Sequence, residues 1–401
     1  MKKNILFFLM FLSGLFAMLP SVYCQSGNDT AVNRKSGQLW GLGFGDMAFK
    51  TKSDPLGRGA TNQYTGIGEN QSMFQFRRLY LGYDNRISKR FSAEFLLAME
   101  ENNAMGTASG QPLGDLLSNG RYGLFIKTGS VTWHNIFKNH NLTMGQMFTP
   151  ATVLTTEPVW EYRCIERTIS ELRRTPAWDL GMRLNGTLHN STGTELGYYL
   201  MVGNGTGSKP ENNRFKWFYG DVYLKFLNRK MVIDLYADYN RMAWTPTLRQ
   251  DRNMLKLMLA YTTSAFTMGV EAFTNRLRND VIAMRPDSST MRFDTRATNY
   301  SVFARGRLYG PQLGFFVRYD GFNPSQNNDN SKYIRYTPTS ENYNPNTREQ
   351  FFTAGLDYSP NSNIHILPNV WYTRYRNAGP SALADGTDVV YRLSVYYVYG
   401  K

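Results

Sequence analysis

The sequence is poor in cysteine, in charge, in histidine and in long apolar runs, and each shortage excludes a class of protein. Two cysteines in 401 residues, Cys24 and Cys164, cannot build a disulfide framework, which removes the small stapled secreted scaffolds. Beyond residue 20 no apolar run reaches the roughly 18 residues of a membrane-crossing helix, so a helical membrane protein is excluded. Charged residues are only 19% while aromatics are 14%, a balance that argues against intrinsic disorder. The four histidines, His134, His140, His189 and His365, show no metal-ligand spacing such as His-x-x-x-His. His189 stands near Ser191, but in an expected turn with no orienting acid. The Gly-x-Gly at 41–43 is followed by no helix that would cradle a phosphate. Catalysis, a cofactor and a bound metal are therefore not expected.

What the sequence does contain is tyrosine (26), glycine (35) and a two-residue periodicity that dominates everything after about residue 38. Apolar residues occupy alternate positions in 91–99, 178–184, 196–202, 255–261, 313–319 and 391–399. Candidate strands number sixteen: 38–50, 72–84, 90–100, 123–134, 141–149, 178–188, 194–203, 217–226, 231–240, 253–262, 266–275, 298–308, 312–321, 349–358, 364–374 and 389–399. Most run to about ten residues, the length a tilted strand needs to cross the hydrocarbon layer.

The spacers between them alternate in length. Short ones such as 85–89, 189–193, 227–230, 263–265, 309–311 and 359–363 interleave with long ones at 51–71, 101–122, 150–177, 276–297 and 322–348. An even strand count with tight turns on one rim and long loops on the other is what a transmembrane barrel requires. A soluble sandwich shares the period but has no reason to keep its long loops at every second connection. The expected fold class is all-β: a transmembrane antiparallel barrel of sixteen strands, with the loop at 150–177 folded inward. An interior of that size is too wide for wall side chains alone to fill.

The N-terminus reads as a secretory signal over 1–24, leaving 25–401 as the barrel domain. Lys2 and Lys3 form the positive region, Ile5 to Leu19 the apolar one, and Val22-Tyr23-Cys24 the cleavage site before Gln25. Lipidation of Cys24 is the rival, but Tyr23 stands where the lipoprotein peptidase takes Gly, Ala or Ser. Loss of the two lysines lowers the formal charge from +14 to +12. The remaining basic residues are scattered over rims and wall without the stripe that nucleic-acid binding needs. Some lie in short turns, as Arg86, Lys89, Arg90, Arg229 and Lys230, where they could meet anionic headgroups.

Several stretches resemble a known family. Phe76-Arg77-Arg78-Leu79-Tyr80-Leu81-Gly82-Tyr83 followed by Phe91-Ser92-Ala93-Glu94-Phe95 is similar to an early hairpin of Bacteroidota outer-membrane porins, relatives of the phosphate-selective porins O and P. Trp160-Glu161-Tyr162-Arg163, Trp178-Asp179-Leu180-Gly181, Val202-Gly203-Asn204-Gly205 and Phe316-Val317-Arg318-Tyr319-Asp320 extend the likeness along the chain. The resemblance implies a sixteen-stranded barrel in a Gram-negative outer membrane, assembled as a homotrimer in lipid and passing small anionic or neutral solutes. Two departures stand against it: no lysine-rich inward stripe is evident, and the barrel's usual terminal aromatic is replaced by Tyr399-Gly400-Lys401.

If the apolar parity faces lipid, the other parity lines the interior. That rule turns Arg78, Arg183, Lys225, Lys256, Arg305, Arg307, Arg318 and Arg392 inward, and with them Glu94, Asp179, Asp221, Asp234, Asp238, Glu271 and Asp320. The loop at 150–177 is the expected constriction, with Arg163, Arg167, Arg173 and Arg174 against four glutamates, a set that would impose a transverse field. Tyr83, Trp133, Tyr198, Tyr319, Tyr358 and Tyr399 at strand ends suit interfacial girdles. The function expected is a water-filled channel for passive diffusion of small hydrophilic solutes with a weak preference for anions. Alternatives are a phosphate- or polyphosphate-selective channel, or a surface receptor or adhesin using 276–297 and 322–348.

Overall fold

Alternation of apolar and polar side chains suits an antiparallel sheet with two unlike faces, and closing that sheet on itself leaves no strand with an open edge. In the computed structural model the described residues are 37–58, 67–101, 122–173, 177–207, 211, 213–245, 248–324, 330–338, 344–381 and 383–400. The expected signal segment, 1–24, lies outside them. Chain contacts separate Met1–Lys35 from Ser36–Lys401, and the fold below is that of the second unit.

All sixteen expected strands form. They are β1 (Gln38–Lys52), β2 (Gln71–Arg86), β3 (Phe91–Glu101), β4 (Tyr122–Phe137), β5 (His140–Phe148), β6 (Trp178–Asn190), β7 (Glu195–Gly203) and β8 (Trp217–Phe226). After them come β9 (Met231–Trp244), β10 (Arg249–Thr262), β11 (Phe266–Met284), β12 (Thr290–Tyr309), β13 (Leu313–Asn323), β15 (Thr347–Asn361), β16 (Ile364–Asn377) and β17 (Gly386–Tyr399). A short β14 (Arg335–Pro338) is additional, and the β5–β6 connection carries the one-turn helices α1 (Thr156–Trp160) and α2 (Ile169–Arg173).

Each long strand pairs antiparallel with the next, and β17 closes the ring on β1, with Gly41 opposite Tyr399 and Phe49 opposite Tyr391. Strand β13 pairs directly with β15. The glycines at 41 and 43 are strand residues: a Cβ on either would overlap the Tyr399 or Tyr397 ring lying across it. The faces divide as the alternation demands. Phe95, Leu180, Met182, Leu200, Leu255, Leu257, Val302 and Leu393 are exposed on the outside, while Leu96, Met201, Met258, Phe303 and Phe316 are buried inside. Tyr83, Tyr358 and Tyr399 are exposed near strand ends.

The segment 276–297, expected as a long loop, instead continues β11 and β12 as a hairpin. Val281–Met284 pair with Thr290–Phe293 on one side and with β14 on the other. The charged run Arg278-Asn279-Asp280 breaks the alternation in the sequence, but the sheet absorbs it as an irregularity between Leu277 and Val281, with Asn279 left-handed at φ 50°. Leu277, Val281 and Ala283 then pack with Ala297 and Tyr336.

Two further irregularities matter for the interior. Between Phe44 and Gly45 the β1–β2 register advances from Arg78 to Phe76, so Arg77 is the extra residue of a bulge. Between Leu96 and Leu97 the β3–β4 register advances from Thr128 to Ile126, so Lys127 is another. Each bulge flips the parity of its strand, and the consecutive residues Arg77 and Arg78, like Lys127 and Thr128, are both buried on the inside.

Candidate functional site: the loop inside the barrel

The β5–β6 connection begins at Thr149, whose N–H donates to the carbonyl of Ala177, and the segment between folds into the barrel. Its apolar residues supply the contact. Trp160, Cys164 and Ile165 pack with Phe44, Phe303, Phe316 and Leu367 of β1, β12, β13 and β16. On the other side Ala151 and Ile169 join Met147, Tyr219, Tyr236, Met254 and Phe273 of β5, β8, β9, β10 and β11. The loop therefore touches walls from well-separated parts of the ring.

Three arginines from three strands hold its middle. Arg77 Nη1 donates to the carbonyls of Cys164 (2.7 Å) and Ile165 (3.2 Å). Arg392 Nη2 reaches the Ile165 carbonyl at 3.3 Å, and Arg318 Nη1 the Glu166 carbonyl at 3.2 Å. Buried carbonyls of a non-helical backbone must find donors, and here the wall provides them. Each arginine also has a carboxylate beside it: Asp46 at 3.5 Å from Arg77 and 3.9 Å from Arg392, and Asp320 in contact with Arg318. At the loop's start Lys256 Nζ donates to the Ala151 carbonyl (2.6 Å) and Thr156 Oγ1 (2.9 Å) and pairs with Asp234 at 2.9 Å. Thr155 Oγ1 donates to the same Asp234.

The wall charges are unevenly spread, though each arc carries some of the opposite sign. Lys50, Arg77, Arg78, Lys127 and Arg392 lie on β1, β2, β4 and β17, whereas Asp221, Asp234, Asp238 and Glu271 lie on β8, β9 and β11. In the closed order of strands these arcs are about half a turn apart. The acidic arc is sealed by the loop. Asp221 and Glu271 are 1% exposed, and their carboxylate oxygens find no donor group among the described residues. With Asp234 they form three carboxyls around one lysine.

The residues assigned inward from parity meet different surroundings. Arg78 faces Glu100 at 3.7 Å beneath the Phe44 ring. Arg183 donates to the Phe148 carbonyl at 2.8 Å, and Arg305 Nε to the Val159 carbonyl at 2.9 Å while pairing with Glu161 at 2.7 Å. Lys225 pairs with Glu195 at 3.3 Å near the short-turn rim, where Arg307 is also exposed. Among the acids, Glu94 accepts from Thr128, Asp238 from Tyr236, and Asp179 from Tyr219 and the Gly205 N–H. Arg163 is bracketed within the loop by Glu157 and Glu171, and Arg167 lies 3.7 Å from Glu166. The Arg173 side chain and all of Arg174 fall outside the described residues.

Alternation missed Lys50, Arg77 and Lys127. Lys50 belongs to the inward parity and pairs with Asp388 at 3.1 Å. The other two are bulge residues, which a rule of strict alternation places outside; the signal available was the Arg77-Arg78 doublet, one of which any unbroken strand would have to turn to lipid.

The loop's environment shifts its own titrating groups. Burial pushes the Cys164 thiol up to about 12, against the lowering pull of Arg77. Burial and the neighbouring Asp357, to which its hydroxyl donates at 2.9 Å, raise the Tyr162 phenol. For Glu171 burial opposes ionisation, but the Arg163 guanidinium beside it wins and holds the carboxyl below the usual range.

Two histidine–serine neighbourhoods among the described residues can be checked for a relay. His365 Nδ1 lies 2.8 Å from Ser359 Oγ and 2.9 Å from Asp357, but one ring nitrogen serving both leaves no relay from acid to hydroxyl. The Ser191 hydroxyl near His189 is used in its own turn, by Thr194. Among the described residues there is no metal-holding group of three His, Cys, Asp or Glu side chains.

No protein-family model and no curated protein matches the chain. Solved structures do. An anion-selective porin from Comamonas acidovorans is 12% identical, with 91% of this chain and 99% of that chain covered and a TM-score of 0.54. The outer membrane channel DcaP of Acinetobacter baumannii is 10% identical, covering 91% and 97%, with a TM-score of 0.57. OmpF of Salmonella typhi is 10% identical, covering 90% and 97%, with a TM-score of 0.54. At these identities the likeness is one of fold, a sixteen-stranded porin-type barrel.

Proposed function

We propose that the protein is an integral outer-membrane channel through which small hydrophilic solutes diffuse down their gradient, with a modest preference for anions. The observation that carries the preference is the unequal exposure of charge around the inserted loop. The acids of β6, β8, β9 and β11 are buried, and Glu157, Glu166 and Glu171 are nearly so, whereas Arg163, Arg167 and Arg305 are part-exposed. Among the loop's glutamates Glu161 is the exposed one, and it is paired with Arg305. A permeating ion therefore meets more reachable positive than negative charge. Arg163, Arg167, Arg173, Arg174 and Arg305 are the residues proposed to line the constriction; Arg78, Arg183, Lys256, Arg318 and Arg392 support it, and Lys225 and Arg307 border the short-turn mouth.

Two comparisons support parts of this reading: the Comamonas protein is titled anion-selective, and a similar OmpT structure from Vibrio cholerae is titled a trimer form. Assembly as a homotrimer is proposed here on that ground and on the family resemblance. The channel is tested by adding purified protein to a planar bilayer. Discrete conductance steps are expected, with a reversal potential in a salt gradient of the sign for anions. Absence of steps sinks the channel. A cation-selective reversal potential overturns the preference while leaving the channel intact. A phosphate-specific site would show as block of chloride current by phosphate. The raised sheet of β11, β12 and β14 favours a second reading, a surface receptor, which gains ground only if no conductance is seen.

A further inference from the structure

We propose that the outer wall of the barrel, where β12, β13, β15 and β16 reach the rim of long connections, binds the phosphorylated headgroup of a membrane lipid. Arg348 and Arg376 are direct partners across β15 and β16, and the next outward pair is Gln350 with Arg374. Like charges placed opposite each other on neighbouring strands repel, and a sheet tolerates them at a cost unless an anion lies between. The protein supplies only a partial counter-charge: Asp385 sits 3.1 Å from Arg374 and 4.0 Å from Arg376. Arg348 is exposed and has no partner among the described residues.

Arg348 and Arg376 line one cavity of about 270 Å³ with Thr298, Tyr300, Gly321, Asn323 and Gln350; Glu349 also borders it but is nearly buried, so the two exposed arginines outnumber it. Gly321 shapes it, because a Cβ there would overlap the Tyr300 ring that lies against the backbone. Tyr319, with its ring 6.0 Å from that of Tyr300, has its hydroxyl held by Gln350 Nε2 at 2.9 Å. The volume is below that of a drug-sized pocket and suits a headgroup fragment. Guanidinium forks with tyrosine, threonine and asparagine polar groups form the donor set that phosphate oxygens take.

What points to a lipid, and not to free phosphate, is the wall beneath. Moving down the outward face of β15, Arg348 and Gln350 give way to Phe352, Ala354 and Leu356; down β16, Arg376 and Arg374 give way to Tyr372, Val370 and Pro368. The order from rim to midwall is cation, tyrosine, hydrocarbon, with about 6.8 Å between successive outward residues. An amphiphile whose phosphate meets the arginines would lay its acyl chains on that strip.

The inference rests on the barrel's lying in a membrane but not on its conducting, and the experiment separates the two. Full-length protein in detergent micelles is examined by native mass spectrometry with three probes: diphosphorylated lipid A, the same lipid dephosphorylated, and inorganic phosphate. Wild type is expected to retain the phosphorylated lipid about tenfold more tightly than the dephosphorylated one, roughly the strength of one charge-assisted contact. Arg348→Gln with Arg376→Gln should abolish that preference while keeping wild-type conductance steps and heat-modifiable migration. Arg348→Lys with Arg376→Lys should retain part of it. Equal retention of both lipids by wild type, or an unchanged preference in the glutamine double variant, overturns the proposal. Inorganic phosphate binding as tightly as the lipid also overturns it, leaving an anion site only.

Discussion

Arg77 shows how much one inserted residue can decide. Without the bulge its guanidinium would face outward; with it, two loop carbonyls gain a donor and Asp46 gains a partner. Arg77→Ala strips buried groups of their partner, a loss of about 3–5 kcal/mol where nothing relaxes. Arg392 and Arg318 remain, so the loop should loosen without leaving the barrel. Cys164 reports this directly. It is buried and its thiol is pushed up to about 12, so maleimide should leave it nearly untouched at neutral pH. In Arg77→Ala the labelling rate is expected to rise at least about tenfold, since each 1.4 kcal/mol off the opening free energy is a factor of ten. An unchanged rate, read by mass shift, would remove Arg77 from the anchoring role. Glu171 gives a complementary test by pH. Its carboxyl is held below the ordinary range, so its contribution is full above about pH 4.3 and is lost as pH falls through the lower folded value. The stability difference between wild type and Glu171→Gln should be about 1–3 kcal/mol, reduced because Glu157 still pairs with Arg163. It should stay flat from pH 8 to pH 5 and shrink only in stronger acid. A difference that vanished already at pH 6 would show that another group governs the loop.

At the scale of elements, the β11–β12 hairpin and β14 form a small sheet standing on the barrel. Val281, Ala283, Phe293, Tyr333 and Tyr336 join the apolar cluster of Leu277 and Ala297, but the lower β11–β12 ladder, Phe266–Leu277 with Thr295–Gly306, pairs without them. Replacing 279–291 by a two-residue turn should therefore leave the sixteen-stranded ring and its conductance intact while freeing β14, whose strand partner is β11. Limited proteolysis is expected to cut between 324 and 347 several times faster in the shortened protein. Loss of conductance instead would mean the hairpin belongs to the channel. The same hairpin marks the boundary of what the sequence makes legible. Alternation located all sixteen strands and both faces, because a one-residue slip in any of them would turn apolar side chains from lipid to water. It ended β11 at about residue 275 because Arg278-Asn279-Asp280 interrupts the pattern, and the sheet bridges that interruption with an irregular pairing that local periodicity does not encode. The inward folding of 150–177 was legible from its mixture of apolar residues and charges. Its anchors were legible only in part: Lys256, Arg318 and Arg392 obey the parity rule, whereas Arg77 depends on the partner strand's register.

For the molecule as a whole, the inserted loop covers one set of wall charges, and the proposed channel makes that covering testable. Asp221, Asp234 and Glu271 lie under it with Lys256 as their central cation, and the opposite arc of Lys50, Arg77, Arg78, Lys127 and Arg392 is largely matched by Asp388, Asp46 and Glu100. Uncovering the interior would therefore add more unmatched negative charge than positive. Replacing 152–173 by a short flexible linker should raise single-channel conductance, because the chain crossing the interior is gone. It should also move the reversal potential toward cations, opposite to what simple loss of four glutamates and three arginines from the loop would produce. Adding Asp221→Asn and Glu271→Gln to the loop deletion should bring the preference back toward anions without changing the conductance gain. If the loop-deleted channel keeps the wild-type reversal potential, the acidic arc does not face the permeation path. Selectivity would then have to reside at the mouths, where Lys225 and Arg307 stand.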